Sequence, residues 1–240
     1  MIASFGRPLP RVVLTGGDPI ERADLFELMA TARELGLAVS LTPSVTPNLR
    51  APVVTRLAAA GIDSIALSLD GSTAARHDAI RGIPGTFAAT LEAARSVRSA
   101  GLGLQINTLV AEETVDDLPA IARLVAGLDI IRWSLFFLVP VGRGRLLQGL
   151  DSARAERVLR WLVDLSRMAP FAVTATEAMH VRRIAVQRLR PAGWTDEAIA
   201  RTDLGRGFRI NDGRGVGSPL SVRAAGPAPP ASRGLSRPVA

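Results

Sequence analysis

Short β-branched or leucine-rich runs alternate with longer amphipathic segments along most of the chain, the pattern expected of serial strand–helix units. Val12, Val13, Leu14 and Thr15 read as a buried parallel strand. A Gly-Gly turn then leads to a helix whose Leu25, Phe26, Met29 and Ala32 recur at helical spacing, with Asp24 near its start and Gly36 where a C-terminal glycine ends a helix. The second strand, Ala38 to Thr42, is cut by Pro43 and Pro47, and a helix over residues 52–60 stops at Gly61. Ile65 to Leu69 follow as a third strand, Ser72 to Arg81 as a loop and short helix, and Thr86 to Ala100 as a longer helix with Phe87, Leu91 and Ala94 on one face. Strand four runs from Leu104 to Val110. A helix burying Leu118, Ile121, Val125 and Leu128 precedes strand five, Ile130 to Leu138, which Pro140 and Gly142 terminate. A helix over 152–168, a strand from Phe171 to Thr174 and a helix over 178–189 complete the series.

Strands alternating with helices require right-handed crossovers and a parallel sheet, closed or open, with ligands at the C-terminal ends of the strands. The fold class is therefore α/β. Chemistry-bearing residues do fall just past the strands: Thr15 to Pro19, Thr42 and Pro43, Ser68 to Gly71, Asn107 and Thr108, and Val139 to Gly142.

Length and composition add bounds. The 240 residues, about half of them apolar, suffice for one main domain. No apolar stretch reaches the ~18 residues of a membrane span, and MIASFGRPLPRVV lacks the layout of an export signal, so the expectation is a cytoplasmic protein without a membrane partner. The periodicity fades beyond Gly205, and residues 216–240 hold no acidic or aromatic residue, a composition expected to stay disordered.

The net charge of +7 arises wholly after His180, since arginines and acidic residues balance up to that point; lysine is absent. Without clustered charge on the patterned part of the chain, nucleic acid is not the expected partner. The absence of cysteine excludes disulfides, thiolate nucleophiles and any iron–sulfur cluster held by the thiolates of these residues. His77 and His180 show no metal-ligand spacing and read as satisfied or surface histidines.

Three segments carry candidate chemistry. In TGGDP, Thr15 to Pro19, the two glycines allow a tight turn that exposes backbone amides and carbonyls, and the adjacent acid is suited to an ammonium group; a plain strand–helix turn reads the same way. In SLDG, Ser68 and Asp70 lie two apart and so project to one side of a strand. In HDAIRG, His77 to Gly82, the planar fork of Arg81 suits a carboxylate. The ordinary alternative for these last two segments is capping of the next helix by Asp70 or Ser72 with Arg81 in solvent.

Together, and in this order, these segments resemble the radical S-adenosylmethionine (SAM) superfamily over about residues 3–215, especially its branch with auxiliary clusters in a C-terminal extension. The resemblance implies an incomplete parallel (β/α) TIM-type barrel lacking its first strand–helix unit, with SAM as small-molecule cofactor. It further implies that Gly16, Gly17, Asp18 and Pro19 match the GGEP-type segment that binds the cofactor's amino group, with Asp18 a common variant of the acid. Ser68 and Arg81, beside Asp70, match positions contacting the methionine carboxylate or ribose, and Asn107 matches a ribose-facing position. Thr42 follows the next strand at the same end. The run from Trp133 to Arg145, including Val139 and Pro140, matches the last of these strands and the loop beside adenine. With TEAMH, Thr176 to His180, the chain looks most like haem-biosynthesis-type and peptide-modifying members.

Two departures from the family pattern stand out. Its CxxxCxxC loop, which ligates a 4Fe-4S cluster, is not present in these residues, so no cluster is available to donate the electron that releases the 5′-deoxyadenosyl radical. INDGRG, Ile210 to Gly215, resembles the start of the auxiliary domain, but a Pro/Ala/Gly/Arg tail follows it. The expected organisation is a partial barrel over 1–190, a linker over 191–215 to a lost domain, and a disordered, out-of-frame tail over 216–240. The expected state is a fragment inactive by itself, with an exposed sheet edge open to oligomerisation. Two alternatives remain: a β/α-barrel enzyme of another class, which would want a lysine or a phosphate loop, and a non-catalytic binding or scaffold protein.

Overall fold

A computed structural model describes residues 9–201 apart from Met179. The INDGRG segment, the tail over 216–240 and the linker past residue 201 lie outside the described residues. Within them, six strands form one sheet: β1 Arg11–Leu14, β2 Ala38–Leu41, β3 Ser64–Ser68, β4 Gly103–Val110, β5 Arg132–Phe137 and β6 Ala172–Thr176. All neighbours are parallel and their order in space is their order in the chain. Each crossover thus steps one strand in the same direction, which gives a half-barrel in place of a doubly wound sheet.

The helices are α1 Leu25–Glu34, α2 Ala51–Ala59, α3 Ala74–Arg81, α4 Thr86–Ser99, α5 Leu118–Ala126, α6 Ser152–Ser166, α7 Val181–Leu189 and α8 Asp196–Ala200. Boundaries move by one to three residues from the sequence reading. The last β/α unit moves most: β6 runs on to Thr176, and α7 starts only at Val181, because Glu177 takes a left-handed φ of 58° that breaks the chain between them. Asp24 stands at the N-cap of α1 but makes no capping bond; its carboxylate accepts from Arg22 instead. In the stretch expected as a linker, α8 buries Ile199 to 1% exposure in the core.

Alternation along each strand divides the sheet into two unlike faces. Ile65, Leu67, Leu104, Ile106, Trp133 and Leu135 are fully buried, together with Met29, Leu57, Val97, Ile121 and Leu162 of the helices. The opposite face carries Ser40, Ser64, Gln105, Asn107, Ser134 and Thr174 and is polar. There Arg11 donates to Ser40 Oγ at 2.7 Å and the Ser40 and Ser64 hydroxyls share a bond of 2.8 Å. A closed barrel fills this face with branched apolar side chains; here hydroxyl and amide side chains occupy it, Ser40 and Ser134 among them buried. Among the described residues, no helix is long and apolar enough to cross a membrane.

Candidate functional site

Buried side chains staple the C-terminal ends of β3 and β4 to each other and to the start of β5. Thr108 donates its hydroxyl to the Leu69 carbonyl at 2.7 Å and accepts from Trp133 Nε1 at 2.8 Å, so one residue ties three neighbouring strands. Asp70 follows immediately. Its Oδ1 accepts the Leu109 amide at 2.7 Å, its Oδ2 lies 2.7 Å from Arg81 Nη2, and its own amide donates to His77 Nδ1 at 3.0 Å. With only 4% exposure, Asp70 is a structural keystone as well as part of the cleft lining.

The HDAIRG segment is explained residue by residue. His77 receives the Asp70 amide from within the core. Asp78 caps α4, accepting from the Gly85 amide at 2.6 Å, the Phe87 amide at 2.8 Å and the Thr86 hydroxyl at 2.9 Å. Burial raises the Asp78 pKa, but these hydrogen bonds outweigh it and hold the carboxyl below the usual range. Arg81 closes on Asp70, and Gly82 ends α3 in the left-handed conformation at φ 72°. Neither Asp70 nor Ser72 caps α3: Thr73 does, accepting from the Arg76 amide, while the Ser72 amide and hydroxyl bind Asp117 at 2.6 and 2.7 Å. Arg81 is therefore not the wholly solvated cation of the ordinary alternative: its Nη2 lies 2.7 Å from the Asp70 carboxylate, while its side chain keeps 35% exposure.

A cleft of about 610 Å³ opens over this arrangement. Ser68, Asp70, Arg81 and Asn107 line it together with Phe136 of β5 and Leu146 of the following loop. Four of the residues singled out in the sequence thus meet in one place. The register explains how: Ser68 pairs with Asn107, Asn107 with Ser134 and Ser134 with Thr174, a polar row across four strands. The hydroxyls of Ser134 and Thr174 lie 2.8 Å apart and Gln105 donates to Asn107 Oδ1 at 2.7 Å. Ser134 and Thr174 were not foreseen; period-two alternation back from Phe136 is the signal that places Ser134 on this face.

The remaining candidates stand at the same end of the sheet but outside the cleft lining. Gly16 and Gly17 take φ of 87° and 58° after β1, a turn that side-chain-bearing residues rarely adopt. Asp18 caps the short helical turn Pro19–Glu21 through the Ile20 amide at 3.1 Å, with Pro19 buried beneath. Thr42 continues the β1–β2 ladder, its amide donating to the Leu14 carbonyl. Val139 and Pro140 are exposed on the loop after β5. This loop is fixed at its far end, where the Glu112 amide donates to the Gln148 carbonyl and the Gln148 amide to Glu113 Oε1.

The donor sets define what each group would meet. The cleft offers hydroxyl, amide, carboxylate and guanidinium groups beside apolar Phe136 and Leu146, a set that fits an amphipathic nucleoside-bearing ligand. An iron–sulfur cluster finds no such fit: the chain has no cysteine, and among the described residues no group of three or more His, Asp or Glu side chains is arranged to hold a metal.

The chain is an α/β half-barrel with a cleft at the C-terminal strand ends, lined by both polar and apolar side chains. Residues 2–125 match the Radical SAM superfamily, and the chain belongs to that family. It is 34% identical over 192 residues to the AdoMet-dependent heme synthase of Methanosarcina barkeri strain Fusaro, covering 80% of this chain and 54% of that protein. It is 37% identical over 105 residues to the PqqA peptide cyclase of Ruegeria pomeroyi, covering 44% and 28% respectively. The chain thus spans about half, or less, of the length of these curated relatives. The fold is shared with Streptococcus suis SuiB, solved bound to S-adenosylmethionine, at a TM-score of 0.59 and 18% identity, covering 74% of this chain and 40% of that one.

Proposed function

We propose that this chain is the cofactor-binding part of a radical SAM enzyme acting on a tetrapyrrole or peptide-type substrate, and that it holds S-adenosylmethionine in the cleft over Asp70 and Arg81. The observation that carries this reading is the convergence of Ser68, Asp70, Arg81 and Asn107 on one cleft at the strand ends, on a scaffold of that family. Bound, the cofactor supplies a sulfonium whose reductive cleavage starts radical chemistry in the family.

The residues of this chain bind and orient. Arg81, charge-compensated by Asp70, presents its remaining N–H donors to neutral oxygen acceptors such as a ribose diol more readily than to a carboxylate. Ser68 and Asn107 present their polar groups from the adjoining strands, and Phe136 and Leu146 offer an apolar wall for a base. Gly16 to Pro19, with the Asp18 carboxylate half-buried beside them, take the amino group at the opposite margin of the site. Thr42, Val139 and Pro140 edge the same region. The chain by itself does not cleave the cofactor, because none of its side chains is a thiolate able to hold the electron-donating cluster. Residues 1–190 form the barrel part in this reading, and among the described residues no strand pairs with the outer edge of β1.

Titrating the isotope-labelled full chain with S-adenosylmethionine and following backbone amide signals tests the binding. The expected result is that signals of Ser68, Asp70, Arg81 and Asn107 move together and saturate. Movement confined to the helical face, or none at millimolar cofactor, rejects the assignment.

A further inference from the structure

We propose that His77 is a positioning residue for the cleft: its unprotonated Nδ1 holds the Asp70–Gly71 turn and thereby sets Arg81, so that the site is assembled only while the imidazole is neutral. The inference rests on the reading of this cleft as the cofactor site and adds a residue that never touches the ligand.

The geometry is a two-handed grip. His77 and Arg81 lie four apart on α3 and share one face of that helix. At one end of the grip, His77 Nδ1 accepts the Asp70 amide at 3.0 Å; at the other, Arg81 Nη2 meets Asp70 Oδ2 at 2.7 Å. Between them the turn is pressed against the helix so closely that a Cβ on Gly71 would lie 2.4 Å from the His77 backbone nitrogen. An accepting Nδ1 is an unprotonated one, so the ring carries its proton on Nε2. The imidazole is 1% exposed and its ring centroid lies 6.0 Å from that of Phe87 on α4.

Protonation puts an N–H on Nδ1 facing the N–H of Asp70. The enclosed ring has little room to swing away, so the turn must yield. The turn carries the Asp70 carboxylate, and the carboxylate carries Arg81. The ionisable groups facing the ring are Asp70 from the turn and Asp78 and Arg81 from α3 itself, while α4 contributes the uncharged Phe87. Burial is the largest influence and, with Arg81, lowers the imidazole pKa against the opposing pull of Asp70 and Asp78. The neutral form therefore persists at neutral pH, and the site comes apart only on the acid side.

The test is calorimetric titration of the full chain with S-adenosylmethionine from about pH 8 to about pH 5.5, spanning the ordinary histidine range, run in parallel with NMR observation of the Asp70 amide and Arg81 Nε–H signals. The wild type is expected to lose affinity as the pH falls below about 6.5, with the Arg81 signal following the His77 titration. His77→Asn supplies a side-chain oxygen that accepts without titrating; it should bind near wild-type strength at neutral pH and lack the histidine step. His77→Phe removes the acceptor and should weaken binding by roughly tenfold at every pH, the equivalent of one hydrogen bond. The proposal is overturned if His77→Asn keeps the step, or if the Arg81 signal is indifferent to His77 titration. Failure of the wild type to bind the cofactor at any pH removes the cofactor reading instead, and the NMR titration still decides whether His77 sets Arg81.

Discussion

Asp70 and Thr108 show how much of this site is built from residues whose polar atoms are used up within the protein. Thr108 is fully buried, and both roles of its hydroxyl are filled, one by Leu69 and one by Trp133. Thr108→Val keeps the shape but strands the Trp133 N–H and the Leu69 carbonyl, and should cost about 1–3 kcal/mol of stability, read as a lower denaturant midpoint at unchanged slope. His77 supplies a second prediction at this scale. Its native pKa is lowered, so between its unfolded value near 6.5 and the lower native value the unfolded chain binds more protons than the folded one. The stability contributed by its neutral form is complete above about pH 6.5 and is lost as the pH falls through that window. Thermal unfolding of the wild type should show this decline, and His77→Asn should flatten it. The sequence marked Ser68, Asp70 and Asn107 because each sits at or just past a strand, and Arg81 for its place in HDAIRG. It did not reveal that Asp70 and Arg81 answer each other, since their pairing depends on how α3 folds back over the turn.

The element that decides the site is α3, a short helix held at its N-terminal side by Thr73, Ser72 and Asp117 and along its inner face by His77 and Arg81. Gly71 is the point where helix and turn touch most closely, and any side chain there meets backbone. Gly71→Ala should therefore destabilise the protein by about 1–3 kcal/mol through overpacking and loosen the Asp70 amide, measurable as faster hydrogen exchange at that position. Helices and strands were legible in the sequence wherever apolar spacing held for a full turn or more, as in α4 and β4. The β6–α7 connection was not, because the left-handed Glu177 is set by the chain's path and leaves no mark in the apolar pattern. The ordinary alternative put the cap of α3 on Asp70 or Ser72, whereas Thr73 holds it: all three are competent capping residues, and Asp117, 45 residues downstream from Ser72, draws Ser72 away.

For the molecule as a whole, the sheet of the half-barrel has one buried apolar face and one face carrying hydroxyl and amide side chains. The alternation itself was legible in β4, but the polar row from Ser68 to Thr174 emerges only once the registers of four strands are aligned. The missing thiolates are equally plain in the sequence, and the structure offers no other cluster of metal ligands among the described residues. Two properties that the family combines are separable in the proposed function: a cradle for the cofactor, assigned to these residues, and the means of cleaving it, which needs thiolate cluster ligands that these 240 residues do not include. The most direct test of that claim is the affinity of the full chain for S-adenosylmethionine, measured by calorimetry in the wild type and in Arg81→Ala. Saturable binding to the wild type, weakened roughly tenfold or more by the loss of hydrogen bonds from a charged donor, is the predicted result. Equal binding by both proteins, or none by the wild type, contradicts it.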